Sequence, residues 1–278
     1  MMLALLKLMR LYYSVPLAGG FIVIVCYLTG CEVRGIVDRL GLSFFCLLSI
    51  ISGGYVLNDV CDIETDRINC PWRVLAAGKI RKSTALWWSI VLFAAGLAFG
   101  WLCGPAFFVG ISAVAGFMVF YDRFSKRMGV FKDVLAAILT SSLYPLALTL
   151  AEPVGTPRLK VLLIHPVWLF LSALGYEMLK DIRDIKGDRK MRSQGLDCCK
   201  AKWFLVMSRV FIVVGSLITV APFVFGYCRW VYLSASIAAI VLAVLSTFNR
   251  PGAAIRYVYA EVFLVTAGSM ADLLVYGA

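Results

Sequence analysis

The stretch NDVCDIETD, residues 58 to 66, sets an asparagine, three aspartates and a glutamate directly after the apolar run CLLSIISGGYVL. A second acidic stretch, KDIRDIKGD, covers residues 180 to 188. Asp59, Asp62 and Asp66 are spaced 0, +3 and +7, and Asp181, Asp184 and Asp188 repeat that spacing. On a helix of 3.6 residues per turn these offsets fall within roughly 60° of arc, so each set makes one carboxylate stripe. Asn58, four residues before Asp62, joins the first. Carboxylates held this close repel one another, and desolvation near hydrocarbon sharpens the cost unless something positive neutralises them. Divalent cations meet that need. All-oxygen ligands favour Mg²⁺ or Ca²⁺, and Mg²⁺ characteristically joins a few carboxylates to substrate phosphates. The bland alternative is a pair of solvated helix ends in loops with their own Lys and Arg; the shared spacing of the two clusters weighs against it.

If metals are present, the basic residues nearby acquire a second meaning. Arg73, in INCPWRVLAAGKI, and Lys126 and Arg127, in YDRFSKRMG, complement an oxygen-rich anion such as diphosphate, and Lys180 adjoins the second cluster. A polar metal site opening into an apolar bundle suits an amphiphile with a diphosphate head and a hydrocarbon tail.

The elements that must position these residues are membrane spans. The chain is 62% hydrophobic and 15% charged, far more apolar than a soluble domain. Apolar runs of the length a bilayer requires, about 20 residues, lie near 10–30, 41–58, 84–101, 104–121, 133–151, 162–180, 203–227, 229–248 and 253–277. They fill the chain as one domain over 1–278, with no room for a soluble one. Barrel strands are shorter and alternate in polarity, so the expected fold class is all-α: a polytopic membrane protein, nine transmembrane helices bundled around a central cavity open to the cytoplasmic side. The first run lacks a cleavage site and reads as a retained helix.

Lys and Arg crowd onto the N-terminal segment and the loops at 59–83, 122–132, 181–202 and 249–252, whereas the other side holds only Arg34, Arg39, Arg158, Lys160 and Arg229. By the positive-inside rule the N-terminus and the acidic loops face the cytoplasm. The two clusters end helices two and six, an even offset, so they share a membrane face and are expected to oppose each other across the cavity. The net charge of +11 follows from this topology together with attraction to anionic membrane lipid, and no nucleic-acid partner is expected. Cys26, Cys46 and Cys103 lie inside apolar runs, and no CxxC or Cys/His spacing marks a zinc or redox site.

Together these residues resemble the UbiA superfamily of intramembrane prenyltransferases. Its first motif, NDxxDxxxD followed by N-x-P-x-R, is matched by Asn58, Asp59, Asp62 and Asp66, then Asn69, Pro71 and Arg73. A Tyr and a Lys after helix four correspond to Tyr121 and Lys126, and the second motif resembles YEMLKDIRDIKGD. The resemblance implies two Mg²⁺ ions, held by Asn58, Asp62 and Asp66 on one side and Asp181, Asp184 and Asp188 on the other, with Asp59 orienting a ligand or helping to bind metal. It implies that Asp62, Asp66, Asp184 and Asp188 carry the catalysis by gripping a polyprenyl diphosphate. Arg10, Arg73, Tyr121, Lys126, Arg127 and Lys180 would hold the diphosphate, and Tyr12, Tyr13, Tyr55 and Tyr176 could face an allylic carbocation.

The form EMLKDIRDIKGD is similar to the branch that makes digeranylgeranylglyceryl phosphate. That branch implies a geranylgeranyl diphosphate donor and a lipid acceptor such as geranylgeranylglyceryl phosphate, which the cations Lys180, Arg183, Lys186, Arg189, Lys190 and Arg192 would suit. The chain departs from the family's pattern at Val74, Lys79 and the pair Lys132 and Asp133. An aromatic or tetrapyrrole acceptor is the rival within the class, and an ion-coupled transporter the rival outside it. Transporters place carboxylates near the midplane, whereas these lie at helix ends. Glu261 and Asp272, in the last span, are expected to pair with polar neighbours or reach the interface, and His165 falls at the outer end of helix six.

Overall fold

The computed structural model describes residues 2–151, 155–191 and 198–276, with side chains described except at 126, 127, 156, 184–191 and 198–200. Among the described residues every regular element is an α-helix: α1 (Met2–Leu8), α2 (Leu11–Leu28), α3 (Val37–Cys61), α4 (Ile63–Asn69), α5 (Lys82–Cys103), α6 (Pro105–Met128), α7 (Phe131–Ser141), α8 (Leu143–Leu148), α9 (Thr156–Met191), α10 (Cys198–Ile218), α11 (Ala221–Val224), α12 (Trp230–Thr247) and α13 (Pro251–Tyr276). Nine stretches among them are long and apolar enough to cross a bilayer: α2, α3, α5, Pro105–Ser125 of α6, Phe131–Leu148 across α7 and α8, Pro157–Arg183 of α9, Ala201–Val224 across α10 and α11, α12, and α13. Helices are the expected solution, because each hydrogen-bonds its own backbone where no water can.

The described chain forms two compact units. The first takes in α1, the start of α2 and the segment Arg34–Lys132, with α9 residues from Lys186 onward; the second takes in Val23–Val33, Asp133–Ile185 and the helices from α10 to α13. In the first, α3 packs against α5 and α6, and α1 rests on α3. The α5–α6 turn is made by Gly104, whose φ of +124° is open to glycine alone, and Pro105 supplies the first residue of α6. In the second, α12 packs against α10 and α13. Gly175 lets α9 lie close to α10: a Cβ there would stand 2.6 Å from both Ile212 Cγ1 and the Ser208 carbonyl, the small-residue contact typical of membrane helices.

Buried polar groups in the second unit are tied together. Glu261 Oε1 accepts hydrogen bonds from Trp168 Nε1 (2.7 Å), Ser172 Oγ (3.0 Å) and Ser216 Oγ (2.7 Å). Asp272 accepts from the backbone N–H of Arg229 (2.8 Å) and Tyr232 (2.9 Å). Both acids therefore find the polar neighbours expected of them. His165 Nε2 lies 3.1 Å from the Tyr232 hydroxyl, a packed core histidine.

Candidate active site

The first acidic cluster forms at the joint between α3 and α4. Asn58 and Asp59 occupy the last turn of α3, Asp62 is the hinge residue with φ −103° and ψ 9°, and Asp66 lies in α4. Helical bonding carries through the bend, from Asp62 N to Asn58 O (2.9 Å) and from Asp66 N to Asp62 O (2.8 Å). The stripe is thus preserved across it. Asp59 and Asp66 are buried and Asp62 is half-buried. The chain leaves helix at Cys70, which precedes Pro71 and is pushed toward extended backbone.

Two arginines neutralise the cluster. Arg73 Nη1 donates to both carboxylate oxygens of Asp66, at 2.6 and 2.7 Å, and lies 3.7 Å from Asp59 Oδ1. Arg10 donates to the Asp59 carboxylate, with its guanidinium carbon 5.0 Å from the Tyr55 ring centroid and Tyr55 packed beside Tyr13. Tyr12 packs against Tyr13 with the two rings tilted by 50° but is largely exposed. Burial pushes the Asp66 carboxyl up while the Arg73 guanidinium pulls it down. Burial likewise works against the charge on Arg73, yet its bonds to Asp66 and the Asp59 charge win and raise its pKa.

One apolar cluster holds both arginines in place. Leu8, Val56, Val60, Val74, Leu75 and Ile80 pack together with Ala85 and Leu92. Leu8 fixes the end of α1 just before Arg10, which takes a left-handed φ of +47° to start α2. Val74 and Leu75 seat the loop immediately after Arg73. Val74, a departure from the family pattern, is a packing residue here.

A further acid belongs to this site. Asp122 on α6 is buried, and its Oδ1 accepts a hydrogen bond from Asn58 Nδ2 at 3.2 Å. Its signal in the sequence was an acid closing an apolar run beside Tyr121, with no second acid at helical spacing to make it a stripe. Tyr121 is half-buried on α6. Lys126 and Arg127 continue that helix, and their side chains lie outside the described residues.

The second cluster lies along α9, which continues as helix to Met191. Asp181 is half-buried; the side chains of Asp184 and Asp188 lie outside the described residues. Lys180 binds Glu177 at 2.7 and 3.0 Å and sits 5.4 Å from the centroid of the Tyr176 ring. The Tyr176 hydroxyl meets that of Tyr259 at 2.6 Å. Glu177 stands four residues before Asp181, so it extends the stripe by one turn.

Among the described residues no group of three or more Asp, Glu, His or Cys side chains is arranged to hold a metal ion by itself. The oxygen-only chemistry of Asn58, Asp62 and Asp66 fits Mg²⁺, which binds through one or two carboxylates plus substrate phosphates and not through an all-protein cage. Zinc or copper would call for His or Cys, whereas Asn58, Asp62 and Asp66 offer only oxygen.

Nine apolar spans among the described residues define an integral membrane protein, and the acidic cluster held between two arginines is its candidate site. The sequence model of the UbiA prenyltransferase family matches residues 11–254. Digeranylgeranylglyceryl phosphate synthase of Sulfurisphaera tokodaii is 31% identical over 205 residues, 72% of each chain. Its namesake in Halobacterium salinarum is 29% identical over 230 residues, 81% of each. Among solved structures, one of a digeranylgeranylglyceryl phosphate synthase superposes with a TM-score of 0.74 at 21% identity over 98% of both chains. A UbiA homolog from Archaeoglobus fulgidus bound to GPP and Mg²⁺ gives 0.67 at 17% identity, over 98% of this chain and all of that one. The protein belongs to the UbiA prenyltransferase family. It is a prenyltransferase, which sets the ion-transporter reading aside.

Proposed function

We propose that the protein transfers a geranylgeranyl group from its diphosphate to a lipid alcohol of the geranylgeranylglyceryl phosphate type, in a Mg²⁺-dependent reaction at the cytoplasmic face. Residues 1–278 act in this reading as one prenyltransferase domain, with the N-terminus and the acidic loops cytoplasmic. The observation that carries it is the arginine-neutralised carboxylate cluster at the α3–α4 joint. The acceptor is inferred from the curated relatives named above and from the EMLKD form of the second motif.

Asn58, Asp62 and Asp66 would hold one Mg²⁺, and Asp181, Asp184 and Asp188 a second. Bound there, the metal supplies charge to the departing diphosphate. Arg73 and Arg10 exchange a carboxylate partner for a diphosphate oxygen, because a guanidinium binds either anion in the same bidentate fashion. Tyr121, Lys126, Arg127 and Lys180 add contacts to the same group. The C1–O bond breaks with its electron pair going to diphosphate, the acceptor oxygen bonds to C1, and the hydroxyl proton is released. Tyr55 and Tyr13 offer ring faces to the allylic cation, and burial of the cluster keeps water from competing.

The test takes purified protein in detergent with radiolabelled geranylgeranyl diphosphate and either geranylgeranylglyceryl phosphate or 4-hydroxybenzoate. Product is expected with the glycerol phosphate acceptor, abolished by EDTA and restored by Mg²⁺. Asp62→Ala should lower turnover at least about 100-fold, the scale of losing transition-state charge stabilisation, at unchanged melting temperature. Product with the aromatic acceptor alone would move the protein to the quinone branch. Metal-independent turnover would overturn the reading of the cluster.

A further inference from the structure

Asn58 can serve a metal only through Oδ1, since its other terminal atom is an NH₂ group that carries donors and no lone pair for a cation. The two ends of a free amide exchange by a half-turn about the last side-chain torsion. Something must therefore hold the oxygen outward. In this structure Nδ2 donates to Asp122 Oδ1, 3.2 Å away, and a carboxyl oxygen is the acceptor that an NH₂ group requires. That contact seats the amide with its NH₂ group toward Asp122, and no donor among the described residues binds Asn58 Oδ1.

Asp122 is well placed to impose this orientation. It is 6% exposed and comes from α6, a different helix from the one that carries Asn58. It also lies within electrostatic reach of Asp62, Asp59 and Arg10, so it belongs to the same charged neighbourhood without being part of either stripe. Asp59 is engaged by Arg10 and Asp66 by Arg73, whereas Asp122 is bonded to a neutral amide.

We infer that Asp122 is a positioning residue of the metal site, holding the Asn58 amide by its NH₂ group so that Oδ1 is presented to the cation. This rests on the proposed metal-binding role of Asn58. Groups that orient a ligand in this way typically contribute 10–100-fold to metal affinity.

The experiment measures Mn²⁺ binding to the full-length protein in detergent by electron paramagnetic resonance, in the presence of inorganic diphosphate, with melting temperature recorded for each variant. Asp122→Ala should weaken Mn²⁺ binding about 10–100-fold. Asp122→Asn, whose amide can offer Asn58 either an acceptor or a donor, should recover only part of it, binding between Asp122→Ala and the unsubstituted protein. In an Asn58→Ala background Asp122→Ala should cost less than about 2-fold more, because a group acting through Asn58 has nothing left to orient. Equal losses in both backgrounds would make Asp122 a ligand in its own right and overturn the positioning role. If the unsubstituted protein binds no Mn²⁺ under these conditions, the metal reading of the cluster falls and this role with it. Tight binding unchanged by Asp122→Ala would remove this role alone.

Discussion

Glu261→Ala tests how the second unit is held together. The carboxylate is fully buried, and one of its oxygens gathers a Trp168 N–H and the hydroxyls of Ser172 and Ser216, joining α9, α10 and α13. Hydrogen bonds between membrane helices average about 0.6 kcal/mol and reach about 1.7, so three of them amount to roughly 2–5 kcal/mol. The donors do not all lose equally. Ser216 Oγ already lies 3.0 Å from the Ile212 carbonyl and can fall back on it, whereas the Trp168 indole has no alternative acceptor given by its own helix. The expected cost is therefore about 2–3 kcal/mol, toward the lower end of that range. At about 2–4 °C per kcal/mol for a chain of this size, the melting temperature should drop roughly 4–12 °C. Tryptophan fluorescence during thermal unfolding in detergent reads both the transition and the indole environment. Glu261→Gln keeps an acceptor at the same place and should cost less than about 1 kcal/mol. An alanine variant melting within about 1 °C of the unsubstituted protein, or a glutamine variant as damaged as the alanine one, would refute this account.

Arg73→Ala should destabilise by about 3 kcal/mol or somewhat less, since it leaves Asp66 buried without its cation while Arg73 itself is partly solvated; urea or thermal unfolding in detergent checks it. With the guanidinium gone, burial and the nearby Asp59 and Asp62 charges act unopposed on the Asp66 carboxyl and raise its folded pKa further above the unfolded value of about 3.9. Such a group binds its proton more tightly when folded, so the variant's stability should fall as pH rises through that window, and an unfolding series from pH 4 to 8 should show the deficit growing. Arg73→Lys should recover the charge but not the double hydrogen bond, giving intermediate stability. Gly175→Ala should cost about 1–3 kcal/mol, because its Cβ meets a backbone carbonyl that cannot swing aside, and a melting curve within about 1 °C of normal would show that α9 and α10 slide apart freely.

The membrane spans were legible because continuous apolar runs have no competing explanation in water. The sixth, placed near 162–180, begins earlier and runs on as helix to Met191, since Lys, Arg and Asp extend a helix beyond the hydrocarbon without an apolar signature. The acidic stripes were legible because helical spacing is a local property. What escaped was long-range or too short to carry a pattern. The ion pair of Arg10 with Asp59 joins residues 49 apart and depends on an unusual backbone angle at Arg10. Helix α4 lay in what read as a loop, and α1, with seven residues, is too brief for periodicity. Asp122 was visible as a residue, but its partner on another helix was not.

Arg10 and Arg73 come from distant parts of the chain, yet both are footed on the apolar knot of Leu8, Val56, Val74 and Leu75. Methyl groups there act as a template for electrostatics: they set the gauge between two positive charges that have no bond to each other. Trimming Leu75 by a few carbon atoms would remove no charge and no hydrogen bond from the cluster. It would instead shift the two guanidinium groups relative to each other, so that in the proposed reaction their grip on the diphosphate would be altered from a position that never touches it.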